Sequence, residues 1–464
     1  MPRFLAVLLA GAALAGCTVG PDYKRPSVPS AAGWTEPGTP GAVDLAWWDR
    51  FGDAQLSALV ARAIGNSPDL AEAEARLAEA RANRRAVAGT RLPSVTATGS
   101  ATENVLSRNG QLPIGEIPGF QREFRLFDGG FDASWEIDLW GRHVRQGEAA
   151  AAREEAALFA RRDVMLSLIA EVARNYLDLR TAQANAATAR ATADADADLA
   201  RLTRLRFGAG EASRLDAEIA EGAARASAAA VPDAEASVTA AAYRIATLAG
   251  STPEEVGATL RTPAPLPISP DEILVGVRSE LLERRPDVRQ AERELAAATA
   301  DIGVATADLF PRFSLLGGIG QQARNPGDLF SADSMRLQVG PSVSWPIFSG
   351  GAIRAQIRAA DARGRGAAAR YEKAVLGALS DSETAINRFL KARIGAQEAG
   401  AALVRERAAF ALSERRAASG EDDRLALARA RKALLLAEQR DSDASSRKAQ
   451  AAVALFKALG GGWS

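Results

Sequence analysis

Cysteine is nearly missing: Cys17 is alone in 464 residues, so no disulfide can form within the chain. Histidine is as scarce, with His143 alone, and there are three methionines, so the sequence shows no His/Cys metal centre. Net charge is absent as well. The 57 Lys and Arg offset 57 Asp and Glu, with both signs mixed along the helical stretches, which argues against nucleic acid as a partner because that would want a basic face. Aromatic residues make up 6% although hydrophobic residues reach 47%, much of it alanine. That composition suits long, closely approaching helices better than a thick globular core. The apolar run Phe4 to Ala15 is too short for a transmembrane helix. No phosphate-cradling loop is present, since Gly317-Gly318-Ile319-Gly320 reads as strand and no Lys-Ser/Thr follows it.

What the chain does contain is a duplication. Ser67-Pro68-Asp69-Leu70 and Leu92-Pro93-Ser94 return as Arg285-Pro286-Asp287-Val288 and Phe310-Pro311-Arg312, both 218 residues on. Between these landmarks Ala73, Glu74, Leu77, Ala78 and Ala80 match Ala291, Glu292, Leu295, Ala296 and Ala298. A second register, at 210, pairs Trp135 with Trp345, Arg206 with Arg416, Gly210-Glu211 with Gly420-Glu421, and Arg214-Leu215 with Arg424-Leu425. Two copies of one unit make up the chain.

The N-terminus reads as a targeting segment. Arg3, the short apolar run and Leu14-Ala15-Gly16-Cys17 resemble a bacterial lipoprotein signal, cut before Cys17, which then carries a covalent lipid. A buried thiol or a plain secretory signal is the alternative, and the position of the cysteine favours the lipid. Thr18 stands where Asp would mark inner-membrane retention in enteric bacteria, which favours the outer membrane. Residues 18 to 46, rich in Pro, Gly and Ser, read as an extended arm. Residues 1–16 are thus the signal, 17–63 the lipidated arm and equatorial segment, 64–250 the first repeat, 251–278 a Pro-rich linker and 279–464 the second repeat.

Each repeat has the same plan. Asn66 to about Thr90 reads as a helix capped by Asn66 or Ser67, with Leu70, Ala73, Leu77 and Ala80 on one face. The period then becomes two: Val95, Ala97, Gly99 and Ala101, and later Phe127, Phe131, Ala133, Trp135 and Ile137, each share a side, so two strands are expected around the loop Leu106 to Arg122. From Gly141 to Arg206 the chain is helical for about 65 residues, roughly 100 Å. Phe207-Gly208-Ala209-Gly210 turns it, and a partner helix returns to about Leu248 with a kink or break expected at Val231-Pro232. The second copy repeats this with strands at Phe313, Leu315, Gly317, Ile319 and at Leu337, Val339, Val343, Trp345, then a helix in which Val375, Leu379, Ser382, Ile386 and Phe389 follow a heptad-like spacing, and a tip at Ser419-Gly420. The adjacent Trp47 and Trp48 read as core packing at a helix start.

Four strands cannot close, and an open edge in lipid leaves backbone groups unsatisfied at several kcal/mol each, so strands that span a membrane require oligomerisation. Three chains would supply twelve strands. The lipoprotein signal with Gly20-Pro21-Asp22-Tyr23, the Trp47-Trp48-Asp49 opening, the twice-used Pro-Asp helix, Trp135 to Arg142, Trp345 to Gly351 and Phe207 to Asp216 together resemble the TolC/OprM outer membrane factor family, in its lipoprotein, NodT-like branch. The resemblance covers nearly the whole mature chain. It implies an α+β membrane protein, a trimeric 12-stranded β-barrel continuous with a long periplasmic α-helical barrel. It also implies a passive exit duct of a tripartite efflux pump, with a periplasmic adaptor and an inner-membrane transporter of the resistance-nodulation-division type as partners, and no cofactor beyond the lipid on Cys17.

Within that frame Arg214, Asp216, Asp422, Asp423 and Arg424 are candidates for inter-helix contacts that narrow a periplasmic gate, and Leu205, Gly208, Gly210 and Gly420 for adaptor-docking tips. Acids at a helix start are also expected simply from capping and the dipole, so both readings stand. Asp216 has Ala426 as its counterpart, so the acidic position is not repeated. Glu136 and Asp138 could pair as carboxylates but fall at a strand end, and His143, without a partner ligand, reads as solvated or packed. A non-pore structural or adaptor lipoprotein is the alternative class, and protein secretion the alternative use of a channel. Two strand pairs alternating with two helical hairpins favour the channel.

Overall fold

The computed structural model describes residues 18–26, 33–39, 41–107 and 121–463. A short 3-10 turn, Trp47–Phe51, precedes α1 (Ala54–Asn66) and α2 (Pro68–Gly89), then β1 (Ser94–Val105) and β2 (Glu123–Ile137). The first long hairpin is α3 (Arg142–Gly208) and α4 (Arg214–Leu248). After α5 (Pro253–Arg261) and α6 (Arg278–Arg284) the plan recurs as α7 (Pro286–Ala307), β3 (Arg312–Ala323), β4 (Met335–Ser344), α8 (Ala352–Ala418) and α9 (Arg424–Ala458). Equivalent long helices have 67 residues in both copies, and their partners 35.

Ser67 separates α1 from α2 because a residue before proline is driven out of the helical region, and its ψ of 125° is extended. Of the kink or break expected at Val231-Pro232, the break is absent: Pro232 lies inside α4. Proline removes one donor there, but Pro232 and Ala228, whose carbonyl loses its partner, are both exposed, so water can satisfy that carbonyl. The proline-rich stretch after the first repeat begins with a helix, α5, whose Pro253 takes the first helical position, where its missing N–H costs nothing.

The chain divides into two compact units. One takes the N-terminal arm to Pro26, Ala78–Ala156 and Ala291–Arg370; the other takes Ser27–Leu77, Ala157–Gln290 and Tyr371–Ser464.

The first unit holds one antiparallel sheet in the order β1-β2-β3-β4, so the two copies join where β2 pairs with β3. Trp135 donates its indole N–H to the Arg91 carbonyl (2.9 Å), and Trp345, just past β4, donates to the Leu309 carbonyl (3.1 Å). Arg91 and Leu309 are 218 apart and the tryptophans 210, so one hydrogen bond recurs across both registers of the duplication. The arm is fixed here too. Val19 N–H donates to Trp140, Arg145 binds Asp22 at 2.6 Å, and Tyr23 donates to the buried Glu292 at 3.1 Å.

The second unit contains the helical core. Val375, Leu379, Ser382, Ile386 and Phe389 are all buried, as are Leu168, Val172, Tyr176 and Leu179 on α3. Trp47 is fully buried, stacked on Phe456 at 5.2 Å, with its N–H on the Gly461 carbonyl, and Trp48 meets it edge-on. Arg180, 1% exposed, has neutral partners at each amino group: Gln55 and Tyr176 on one, Gln183 and the Thr262 carbonyl on the other.

Candidate functional site

The hairpin tips and the two faces of the sheet carry the functional geometry. At the first tip, α3 ends with the Glu211 N–H on the Arg206 carbonyl (2.8 Å) and the Gly210 N–H on the Phe207 carbonyl (3.0 Å), with Gly210 at φ +80°. The second tip repeats this through Glu421 to Arg416, Gly420 to Ala417, and φ +78°. This pattern satisfies the last carbonyls of a helix and needs a left-handed residue, which only glycine adopts without strain.

The return helices are capped differently. Ser213 caps α4: its hydroxyl accepts from the Asp216 N–H, while Asp216 accepts from the Ser213 N–H at 3.0 Å and hydroxyl at 2.7 Å. Those bonds from Ser213, the hydroxyl's first, hold the Asp216 carboxyl below the usual carboxylate range. In the second copy Asp423 occupies the Ser213 position and accepts from the Ala426 N–H at 2.7 Å. The acid missing at 426 has therefore moved three residues back, to the cap itself, where its second oxygen is left to face outward. That oxygen accepts from Arg206 of the first hairpin at 3.3 Å.

Of the five proposed gate residues, Asp423 thus links the two hairpins. Asp422 binds Arg416 of its own tip at 2.9 Å, Arg214 lies 3.7 Å from Glu218 one turn along the same helix, Asp216 is taken up by its capping box, and Arg424 opens α9. A second link between the hairpins, Lys432 to the buried Asp196 at 2.7 Å, gave no sequence signal. Arg206 was legible through its repetition as Arg416. Leu205, proposed for the tip, is 62% exposed, and Leu215 and Ile219 nearby are equally open; Gly208 is the last residue of α3.

Each strand presents alternate residues to opposite faces. The register aligns Val95, Ala133, Gly317 and Val339 in one row and Ala97, Phe131, Ile319 and Leu337 in the next; Trp135 with Leu315 and Ile137 with Phe313 and Val343 extend the same face. Val95, Phe131, Ile319, Leu337, Val339 and Val343 are each more than half exposed. The opposite face carries Thr96, Thr98, Asp128, Asp132, Gln322, Arg336 and Gln338. One outer edge of β1 and one of β4 have no partner strand among the described residues.

Other sequence candidates are structural. Asp138 accepts from the Val144 N–H at the start of α3, while Glu136 lies 3.8 Å from Arg142, so the two carboxylates do not share a site. His143 is packed, 7% exposed, with Nδ1 3.1 Å from the Gln146 oxygen. Cys17, the proposed lipid site, lies outside the described residues, which begin at its neighbour Thr18.

Comparison with known proteins gives these features a context. The family model described as outer membrane efflux protein matches residues 59–251 and 277–461, one stretch in each repeat. The chain is 31% identical to Nodulation protein T of Rhizobium leguminosarum bv. trifolii, over 80% of this chain and 79% of that protein. It is 31% identical to the pyoverdine export outer membrane protein OpmQ of Pseudomonas aeruginosa, over 99% and 96%. Among solved structures, the outer-membrane channel OprN superimposes with a TM-score of 0.86 at 37% identity, covering 96% of this chain and all of OprN. OpmQ is named for export and OprN as an outer-membrane channel. Two matched repeats, an α+β plan that superimposes on an outer-membrane channel, and a sheet with one exposed apolar face all agree: the chain belongs to the outer membrane efflux protein family.

Proposed function

We propose that three copies close their twelve strands into an outer-membrane barrel, and that the assembly is the passive exit duct of a tripartite pump, fed by an inner-membrane transporter through a periplasmic adaptor. The observation that carries this reading is the sheet. An apolar face exposed over four strands, with two edges that have no partner among the described residues, is untenable in water and in lipid alike until neighbouring sheets pair with it. With the apolar face outward to lipid and the polar face lining the bore, both demands are met at once.

Residues 1–16 would be removed and Cys17 lipidated, anchoring an arm whose next residues already bind beside Trp140 and Arg145. The hairpin tips would dock the adaptor through Leu205, Gly208, Gly210 and Gly420. The resting mouth would be held narrow by the polar contacts around Arg214, Asp216, Asp422, Asp423 and Arg424, with the Arg206–Asp423 link as the contact that joins one hairpin to the next. Similarity to the pyoverdine export protein supports small molecules as cargo.

Reconstitution in planar bilayers tests the duct. The purified protein should open discrete conducting steps, and Asp423→Ala or Arg206→Ala should raise the conductance of the resting state. Protein that inserts yet never conducts, with or without those changes, would refute the reading. Metabolic labelling with palmitate that is lost in Cys17→Ser would support the anchor, and labelling that persists would place the lipid elsewhere.

A further inference from the structure

Arg336 is the one charged residue of β4, and it does not stay on β4. Its row across the sheet reads Thr98, Gly130, Gly320, Arg336, so the two positions beside it carry no side chain. The guanidinium reaches over β3 to β2, with Nη2 2.9 Å from Asp128 and Nη1 4.0 Å from Asp132, which stand on the rows either side of Gly130. Gln322 donates to the second oxygen of Asp128 at 2.8 Å, and Thr98 on β1 donates to Asp132 at 3.0 Å, so one network crosses all four strands.

The glycines are what make the reach possible. A Cβ on Gly320 would stand 2.7 Å from the Gly129 carbonyl oxygen and 3.3 Å from Arg336 Nε, and one on Gly318 would stand 2.8 Å from Asp132 and 3.7 Å from Arg336 Nη1. Side chains there would crowd the β2 backbone, Asp132 and the arginine together, and the group would have to shift. Without them the arginine lies flat, and its charge is held on the wall.

Towards the end of the sheet where β2 stops and β3 starts, the remaining charges of this face are matched locally, Glu136 with Arg142 and Arg312 with Asp308. The mid-sheet group of Asp128, Asp132 and Arg336 keeps one negative charge in excess. Resting on the channel reading above, we propose that this group is the charge-selecting belt of the bore: repeated around the barrel, it favours cationic over anionic solutes while leaving the passage wide. Rings of fixed charge on a pore wall select by sign, and they do so most strongly where salt screening is weak.

The test is the zero-current potential of the reconstituted full-length protein in a KCl gradient kept below about 0.1 M, where the screening length is about 10 Å or more. The native channel should prefer K⁺. Arg336→Gln should increase that preference, and Asp132→Asn, which leaves the Asp128–Arg336 pair in place, should reduce it, each by about twofold in permeability ratio. If either variant fails to assemble, the other still reads the belt, because they are expected to move the potential in opposite directions. Conducting channels whose potential is unmoved by the substitutions would overturn the proposal while sparing the channel. Native protein that inserts and does not conduct would overturn both.

Discussion

Asp163 is a residue whose ionisation opposes folding. Burial, and then the nearby carboxylate of Asp287, push its carboxyl up from the ordinary range, while Lys457 and Arg285 pull it down less effectively. A carboxyl raised in the folded state is fully favourable below its unfolded value, near 3.8, and that contribution is lost as pH rises through the folded value. Asp163→Asn should therefore raise the thermal midpoint of helical circular dichroism at pH 7 and leave it nearly unchanged at pH 3. A larger gain at pH 3 would contradict the assignment. Lys432→Ala should act in the opposite sense. It leaves the buried Asp196 carboxylate without its half-exposed cation, at a cost of about 1–3 kcal/mol, and the melting midpoint should fall beyond the effect of an exposed change such as Arg214→Ala. Neither residue stood out in the sequence, because Lys432 and Asp196 are 236 positions apart and nothing in either helix announces the other.

The two tips share a turn and differ in their caps. Ser213→Ala should loosen the first turn of α4 by about 1 kcal/mol, seen as roughly fivefold faster amide exchange confined to the residues after the cap. Gly210→Val, which forces a branched side chain to φ +80°, should disturb the same tip by about 1–2 kcal/mol or more. Exchange that stays native in both would mean that the tip is held by something other than its own hydrogen bonds. At this scale the sequence was most legible. Periods of two and of three to four, together with glycines at equal offsets, gave both strand pairs and both hairpins, and the heptad-like positions from Val375 to Phe389 are all buried. Finer detail was less legible. Pro232 reads as a kink or break and the helix continues through it, because local pattern does not say whether a freed carbonyl will face water. Asp216 and Asp423 were both named as gate candidates, but that Asp216 closes a capping box while Asp423 accepts from Arg206 of the other hairpin is distinguished only once the backbone is folded. Arg336 was likewise unremarkable until the register put glycines beside it.

For the whole molecule, duplication explains why one chain carries two strand pairs and two hairpins of matching length, and why its sheet is formed half by each copy. It also leaves the chain unfinished. Four strands with an exposed apolar face and two open edges demand further copies, and closure by three is the central claim. Its most direct measurement is the mass of the full-length protein extracted from outer membranes in mild detergent, determined by light scattering corrected for bound detergent. A stable species of about three times the 48.6 kDa chain is the expected result. A monodisperse monomer from the same membranes would mean that these strands do not build a barrel, and it would contradict the account.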